Sequence, residues 1–151
     1  MYWHDVDFND GRTAHEFFTP DGVKVVGHNR FEGRDEIRRF YEWRAGRGGA
    51  TAVRRLGISG VKAVRHLITN LQVGSSSERF ATVLGIVSFY GGATYPTKRQ
   101  SPPPMMVADL INECVLTEDN AWRFKSHTLR PVFMNQAPAS MLIDPRFLQR
   151  T

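Results

Sequence analysis

The sequence predicts an α+β fold in which N-terminal helices pack on one face of a strongly curved, mostly antiparallel sheet. Two observations lead to this class. Residues 13–18 and 33–45 carry apolar side chains at helical spacing, and residues 64–129 form successive β-rich runs separated by turns. Short turns join antiparallel strands, since parallel strands need long crossovers. Such a sheet, closed against helices, would enclose a cone-shaped cavity, which is a usual place for a ligand.

The size and composition of the chain predict a single domain over residues 1–151. The chain is 41% hydrophobic and 23% charged, which is typical of a globular protein and excludes a disordered one. The single cysteine, Cys114, excludes a disulfide framework within the chain and favours a reducing cytoplasm. The longest apolar run, Val83–Tyr90, is too short to span a bilayer.

The positive charge is concentrated between residues 38 and 65, within a chain of net charge +5. A basic region of this kind can bind nucleic acid. The sequence contains no zinc-finger, RNP or helix-turn-helix pattern, so a solvated helix face and loop is the favoured interpretation. We therefore expect no nucleic-acid partner and no membrane partner.

The N-terminal region is predicted to be largely helical. Met1–Asp7 has the pattern of a helix end, and Trp3 and Asp7 would share a face because they are four residues apart. The pattern begins abruptly, which favours a longer helix with an upstream part. The next predicted elements are a short helix over Thr13–Phe18, a turn over Thr19–Gly22, a strand over Val23–Val26, a connection over Gly27–Gly33 and a helix from Gly33 to about Ala45.

The second half of the chain is predicted to be a strand meander. Its strands are Val64–Val73, Arg79–Tyr90, Met105–Leu116 and Ala121–Leu129, with a long connection over residues 91–104. Residues 50–62 fit a loop and an irregular strand equally well. The tail over residues 131–151 contains prolines and many apolar residues, so we expect it to pack on the body or on a neighbouring subunit.

One strand carries the main candidate for chemistry. In Val64–Asn70, the alternation of side chains puts His66, Ile68 and Asn70 on one face. A polar pair on a partly apolar face indicates a half-buried wall, and buried polar groups need partners. We predict that Asp7 is the partner of His66.

Five short motifs together resemble a known family. They are Val6–Asp10, Phe17–Gly22, Phe31–Ile37, Arg65–Asn70 and Trp122–His127. In this order and spacing they resemble the SnoaL-like, scytalone dehydratase-like branch of the nuclear transport factor 2-like superfamily. The resemblance extends to about Leu129 and implies a cone-shaped α+β barrel that encloses a cavity. The fold hosts several activities, so it specifies a structure better than a reaction.

The resemblance also implies catalytic roles for two residues. In scytalone dehydratase and hexachlorocyclohexane dehydrochlorinase, an aspartate at the end of the first helix and a histidine on a long strand form a dyad. Asp7 and His66 stand at these positions, which implies a cofactor-independent lyase or isomerase acting on a small, largely apolar, cyclic or aromatic substrate. His127 stands where the dehydrochlorinase has an arginine, and Tyr2 where it has a lysine. These departures weaken the case for the same substrate.

The remaining predictions concern the pocket and the partners. The candidate substrate-binding residues are Tyr2, Asn70 and His127 as hydrogen-bond donors and Trp3, Phe18, Phe89 and Met106 as apolar walls. The sequence has no metal-ligand spacing, so we expect neither a metal nor another cofactor. We expect a homodimer or homotrimer. Two other functions stay open: a non-catalytic binder of small molecules, and a small partner subunit like those of ring-hydroxylating dioxygenases.

Overall fold

The computed structural model describes residues 1–48, 62–93 and 103–135. Its helices are α1 (Tyr2–Phe8) and α2 (Gly33–Gly48), with a 3-10 helix over Ala14–Phe17 between them. Its strands are β1 (Phe18–Val26), β2 (Asn29–Glu32), β3 (Lys62–Ser76), β4 (Phe80–Ala93), β5 (Met106–Leu116) and β6 (Trp122–Met134). In these ranges, neither helix has the length and apolar character needed to cross a bilayer.

The strands form one mixed sheet in the order β2-β1-β6-β5-β4-β3. The pair β1–β6 is parallel, and the other neighbouring strands are antiparallel. The sheet is open, with β2 and β3 as its edges in the described ranges. The predicted class, helices packed on a mostly antiparallel sheet, is confirmed.

The region before α2 contains more strand than predicted. Phe18 begins β1 and does not end a helix, and the predicted turn Thr19–Gly22 is an irregularity inside that strand. The pairing of β1 with β6 shifts register there, so a turn-like sequence is accommodated without ending the strand. The predicted connection Gly27–Gly33 contains β2. A tight turn at Gly27, whose φ is +59°, brings β2 back beside β1.

The sequence analysis placed the start of the C-terminal tail too early in the chain. Residues 131–134 belong to β6, and Met134 pairs with Met106 of β5. Pro131 does not end the strand because it lies at a register shift, where a missing amide hydrogen is tolerated. The rest of the predicted tail, residues 136–151, lies outside the described residues, as do residues 49–61 and 94–102.

Two groups of buried side chains form the core. One, between the helices and the sheet, comprises Tyr2, Val6, Ala14, Phe18, Phe31, Ile37, Phe40 and Tyr41. The other, on the sheet, comprises Val87, Ala108, Leu110 and Leu129. Trp3 packs against both groups, so the first turn of α1 is fixed against the sheet. Gly11, which follows α1, lets the chain pass close to α2, because a Cβ atom there would overlap the Tyr41 ring.

Candidate active site

Asp7 and His66 are in direct contact. Asp7 lies in the last turn of α1, and its Oδ1 is 2.5 Å from Nδ1 of His66 on β3. The other carboxylate oxygen, Oδ2, accepts a hydrogen bond of 2.9 Å from the backbone amide of His66. Both side chains are buried, with exposed fractions of 7% for His66 and 8% for Asp7. The carboxylate therefore holds both the imidazole ring and the strand that carries it.

The environment sets the charge of both groups. Burial raises the pKa of Asp7, but the hydrogen bonds from the His66 side chain and amide outweigh it, so this pKa lies below its ordinary value. Burial lowers the pKa of His66 below its ordinary value, and the hydrogen bond to Asp7 opposes this only in part. At neutral pH Asp7 is thus ionised and accepts hydrogen bonds only. Nδ1 of His66 must then carry the proton, and Nε2 keeps a lone pair.

The ring of His66 lies between two aromatic side chains at the wall of a cavity. Its centroid is 4.7 Å from that of Trp3 and 4.9 Å from that of Phe89. The cavity has a volume of about 70 Å³. Its apolar wall includes Trp3, Val26, Phe40, Phe89, Met106 and Leu129. Packing on both faces of the imidazole fixes its plane, while the hydrogen bond to Asp7 fixes its rotation.

The structure brings only some of the expected pocket residues together. Trp3, Phe89 and Met106 line the cavity with His66. Tyr2 and Phe18 are buried in the helix-side core, with 4% and 0% of their surface exposed. Neither is among the described residues that line the cavity.

His127 also lies outside the cavity wall. It is fully buried on β6, and its Nδ1 is 2.8 Å from Oδ1 of Asn112. Within the described part of the chain, its Nε2 has no hydrogen-bond partner. Burial holds the pKa of His127 well below its ordinary value, and the nearby charges of Lys24 and His66 lower it further. His127 is therefore a neutral core histidine beside Trp3, whose ring centroid is 5.4 Å away.

Asn70 does not share the environment of His66. It is exposed, and its φ of +51° is in the left-handed region. The pairing of β3 with β4 is irregular between Thr69 and Gln72, so the alternation of faces that holds from Val64 to Thr69 does not continue through Asn70. The predicted placement of Asn70 on the pocket face is therefore wrong.

The sequence analysis missed two basic residues of the cavity. Lys24 lies on β1 with 3% of its surface exposed, and Arg44 lies on α2. Both line the cavity. A lysine in a short strand is normally exposed, so the sequence alone contained no signal for its burial. Among the described residues, no cluster of three or more His, Cys, Asp or Glu side chains has the arrangement of a metal site.

A family comparison identifies the domain. The model of the SnoaL-like domain matches residues 1–128. The chain belongs to this family. The match confirms the resemblance drawn from the five sequence motifs. No curated protein matches the chain.

Several solved structures of other proteins have the same fold. A proposed scytalone dehydratase from Novosphingobium aromaticivorans is 17% identical with a TM-score of 0.65, and the match covers 90% of this chain and 80% of that one. A proposed aromatic ring hydroxylase from the same species is 18% identical with a TM-score of 0.63, covering 92% and 87%. ActVI-ORFA from Streptomyces coelicolor is 13% identical with a TM-score of 0.67, covering 87% and 89%. At these identities the likeness shows the fold alone.

Proposed function

We propose that this protein is a cofactor-independent lyase or isomerase, in which the Asp7–His66 pair acts as general acid and base on a small, largely apolar, cyclic or aromatic molecule. The family and fold support the coarser statement of a small-molecule-binding or isomerase/dehydratase-type role. The observation that carries the finer proposal is the bidentate contact of Asp7 with the ring and amide of His66. The ionised carboxylate holds the proton on Nδ1, which leaves the lone pair of Nε2 free to accept a proton, as a general base requires.

The proposed reaction begins with proton removal by Nε2 of His66. The resulting imidazolium is stabilised by the ionised carboxylate of Asp7, 2.5 Å from Nδ1. The proton then returns either to a leaving oxygen, which departs as water, or to a different carbon, which completes an isomerisation. A positioned acid–base of this kind accelerates a reaction by about 10²- to 10⁴-fold.

The surroundings of the pair favour this chemistry. The lowered pKa of His66 keeps the ring neutral and able to accept a proton near pH 7. The largely apolar wall lowers the local polarity around the pair, which strengthens electrostatic interactions there. Lys24 and Arg44 line the same cavity and can donate hydrogen bonds to a substrate oxygen on which negative charge develops.

A hydrogen-exchange assay tests the proposal without knowledge of the leaving group. The protein is incubated in D₂O with a panel of cyclic and aromatic ketones and β-hydroxy ketones, and deuterium incorporation and water loss are followed by mass spectrometry. We expect exchange or elimination that disappears in His66→Gln and falls strongly in Asp7→Asn. His4→Gln is the matched control, because it alters an exposed histidine of α1.

The outcomes separate an enzyme from a binder. Catalysis that depends on both His66 and Asp7 supports the proposal. A compound that binds in the cavity but undergoes no exchange above the rate of His66→Gln contradicts it and favours a non-catalytic binding module. Equal rates in the wild type and in Asp7→Asn would show that the carboxylate has only a structural role.

A further inference from the structure

Lys24 is a buried amine that forms no ion pair with any of the described residues. It lies in the middle of the β2-β1-β6 part of the sheet, opposite Phe31 of β2 and His127 of β6. Only 3% of its surface is exposed, and it lines the same cavity as His66. Lysine is almost never fully buried unless it is paired, so its partners decide its role.

The partners of Lys24 are all uncharged. Its Nζ donates a hydrogen bond of 2.9 Å to the hydroxyl of Tyr2, which is itself 2.5 Å from the hydroxyl of Tyr41. The same Nζ lies 5.7, 5.8 and 5.5 Å from the ring centroids of Tyr2, Phe40 and Tyr41. These contacts form a cage of ring faces and one hydroxyl around the amine.

No carboxylate offsets this amine in the described part of the chain. The ion pairs found there do not include Lys24. Asp5, the buried acid nearest in the sequence to Tyr2, is already bonded to Asn9 and Thr13. Of the 15 acidic residues, only Asp144 lies outside the described ranges. Burial without a counter-ion disfavours the charged form of an amine, and a negative group brought by a ligand would stabilise that form.

The side chains in the described lining of the cavity that can carry a charge near neutral pH are all basic ones. The ionisable groups that face Lys24 are Tyr2 on α1, Tyr41 and Arg44 on α2, His66 on β3 and His127 on β6. Burial holds the pKa of Lys24 well below that of an exposed lysine, and the charge of Arg44 lowers it further. A negative group bound beside the amine would oppose both effects and raise this pKa. The described lining of the cavity contains three basic side chains, those of Lys24, Arg44 and His66, and no acidic one.

We propose that the cavity binds a small aromatic or alicyclic molecule that bears an anionic oxygen, and that Lys24 is the group that holds this oxygen. The ring of the ligand lies against the apolar wall, and the oxygen replaces the missing counter-ion of the amine. The oxygen belongs either to a carboxylate or to an enolate or phenolate. This inference rests on the proposed function, because it places the substrate in the cavity that His66 lines. It deepens that function by naming the charge of the molecule on which His66 would act.

Calorimetry with three simple probes tests the proposal. Benzoate carries a carboxylate, 4-nitrophenolate carries a phenolate, and benzamide is a neutral analogue of benzoate; all three are titrated in mildly alkaline buffer. A hydrogen bond to a charged group contributes about 1.5–3 kcal/mol, so we expect at least one anion to bind about 10- to 100-fold more tightly than benzamide. The anion that is preferred identifies the source of the oxygen.

Variants show whether the preference depends on Lys24. Lys24→Met and Lys24→Gln should bind the anion no more tightly than benzamide. Lys125→Met is the matched control, because Lys125 is an exposed lysine paired with Asp21, and it should keep the preference. The melting temperature of Lys24→Met should be unchanged or higher, since an apolar side chain of similar length replaces a buried amine without a counter-ion.

Two results would overturn the inference. One is that neither anion binds more tightly than benzamide to the wild type. The other is that both Lys24 variants, folded by their melting curves, keep the wild-type preference. Because these measurements concern binding alone, their failure is distinct from that of the proposed function, which is decided by proton exchange in the His66 variants.

Discussion

Replacing Asp7 by asparagine should invert the tautomer of His66. The backbone amide of His66 can only donate a hydrogen bond, and it points at Oδ2 of Asp7. In Asp7→Asn the side-chain oxygen must therefore occupy that position. The NH₂ group then takes the place of Oδ1, beside Nδ1 of the imidazole. A donor at this place requires Nδ1 to be an acceptor, so the proton moves to Nε2.

The expected loss of activity follows from this inversion. Nε2 would carry a hydrogen in the variant and would have no lone pair with which to remove a proton. The variant also loses the carboxylate that stabilises the imidazolium. Together these effects should remove most of the acceleration attributed to the pair, which is about 10²- to 10⁴-fold.

The fold should tolerate Asp7→Asn. Both hydrogen bonds keep a partner, and only their charge assistance is lost. The free energy of unfolding should therefore fall by an amount on the order of 1 kcal/mol, the difference between bonds to charged and to neutral groups. Urea unfolding measures this term and shows that a loss of activity does not come from unfolding.

Two assays check the Asp7→Asn prediction. The ¹⁵N chemical shifts of His66 report the tautomer at neutral pH, and proton exchange in the panel of ketones reports the rate. We expect protonation at Nδ1 in the wild type and at Nε2 in the variant, together with the slower rate. The reasoning is refuted if the variant keeps the Nδ1-protonated tautomer, or if the tautomer inverts and the rate does not fall.

Three further predictions follow from the burial and exposure of other groups. The free energy of unfolding should decrease as the pH falls below about 6.5. The reason is that the pKa values of His66 and His127 are lowered in the folded state, so the unfolded chain binds more protons in this range. Equal stability in urea above and below about pH 6.5 would contradict the prediction. Asn112→Asp should raise the pKa of His127, because a carboxylate would replace the amide oxygen that lies 2.8 Å from Nδ1 of His127. An NMR titration in which the pKa of His127 does not rise would contradict this. We propose a homodimer or homotrimer that buries the exposed apolar side chains of β3, among them Leu71, which is 60% exposed. Light scattering should give a mass above that of one chain, and Leu71→Glu should lower this mass. A monomeric wild type would contradict the proposal.

The elements of this fold could be predicted where the pattern along the chain is local. Alternation and turn residues located the cores of β3, β4, β5 and β6. The ends were less accurate, because a register shift absorbs a residue such as Pro131 that normally marks the end of a strand. The four-residue strand β2 is too short for its alternation to be distinguished from a loop.

The candidate site was predictable in part for related reasons. The Asp7–His66 contact joins residues 59 positions apart, and it was inferred from the need of a buried histidine for a partner and from the family resemblance. The burial of Lys24 depends on α2 and α1 covering β1, which no pattern within the strand reveals. The exposure of Asn70 depends on a bulge that shifts the pairing by one residue. Long-range packing and bulges therefore decided where the prediction failed.

A double-mutant cycle tests most directly whether Asp7 acts through His66. The rates of proton exchange are measured for the wild type, Asp7→Asn, His66→Gln and the double variant. Groups that act as a unit give losses that are far from additive. We predict that Asp7→Asn causes no further loss once His66 is glutamine. If the two losses instead multiply, Asp7 and His66 act independently and the proposed pair is contradicted.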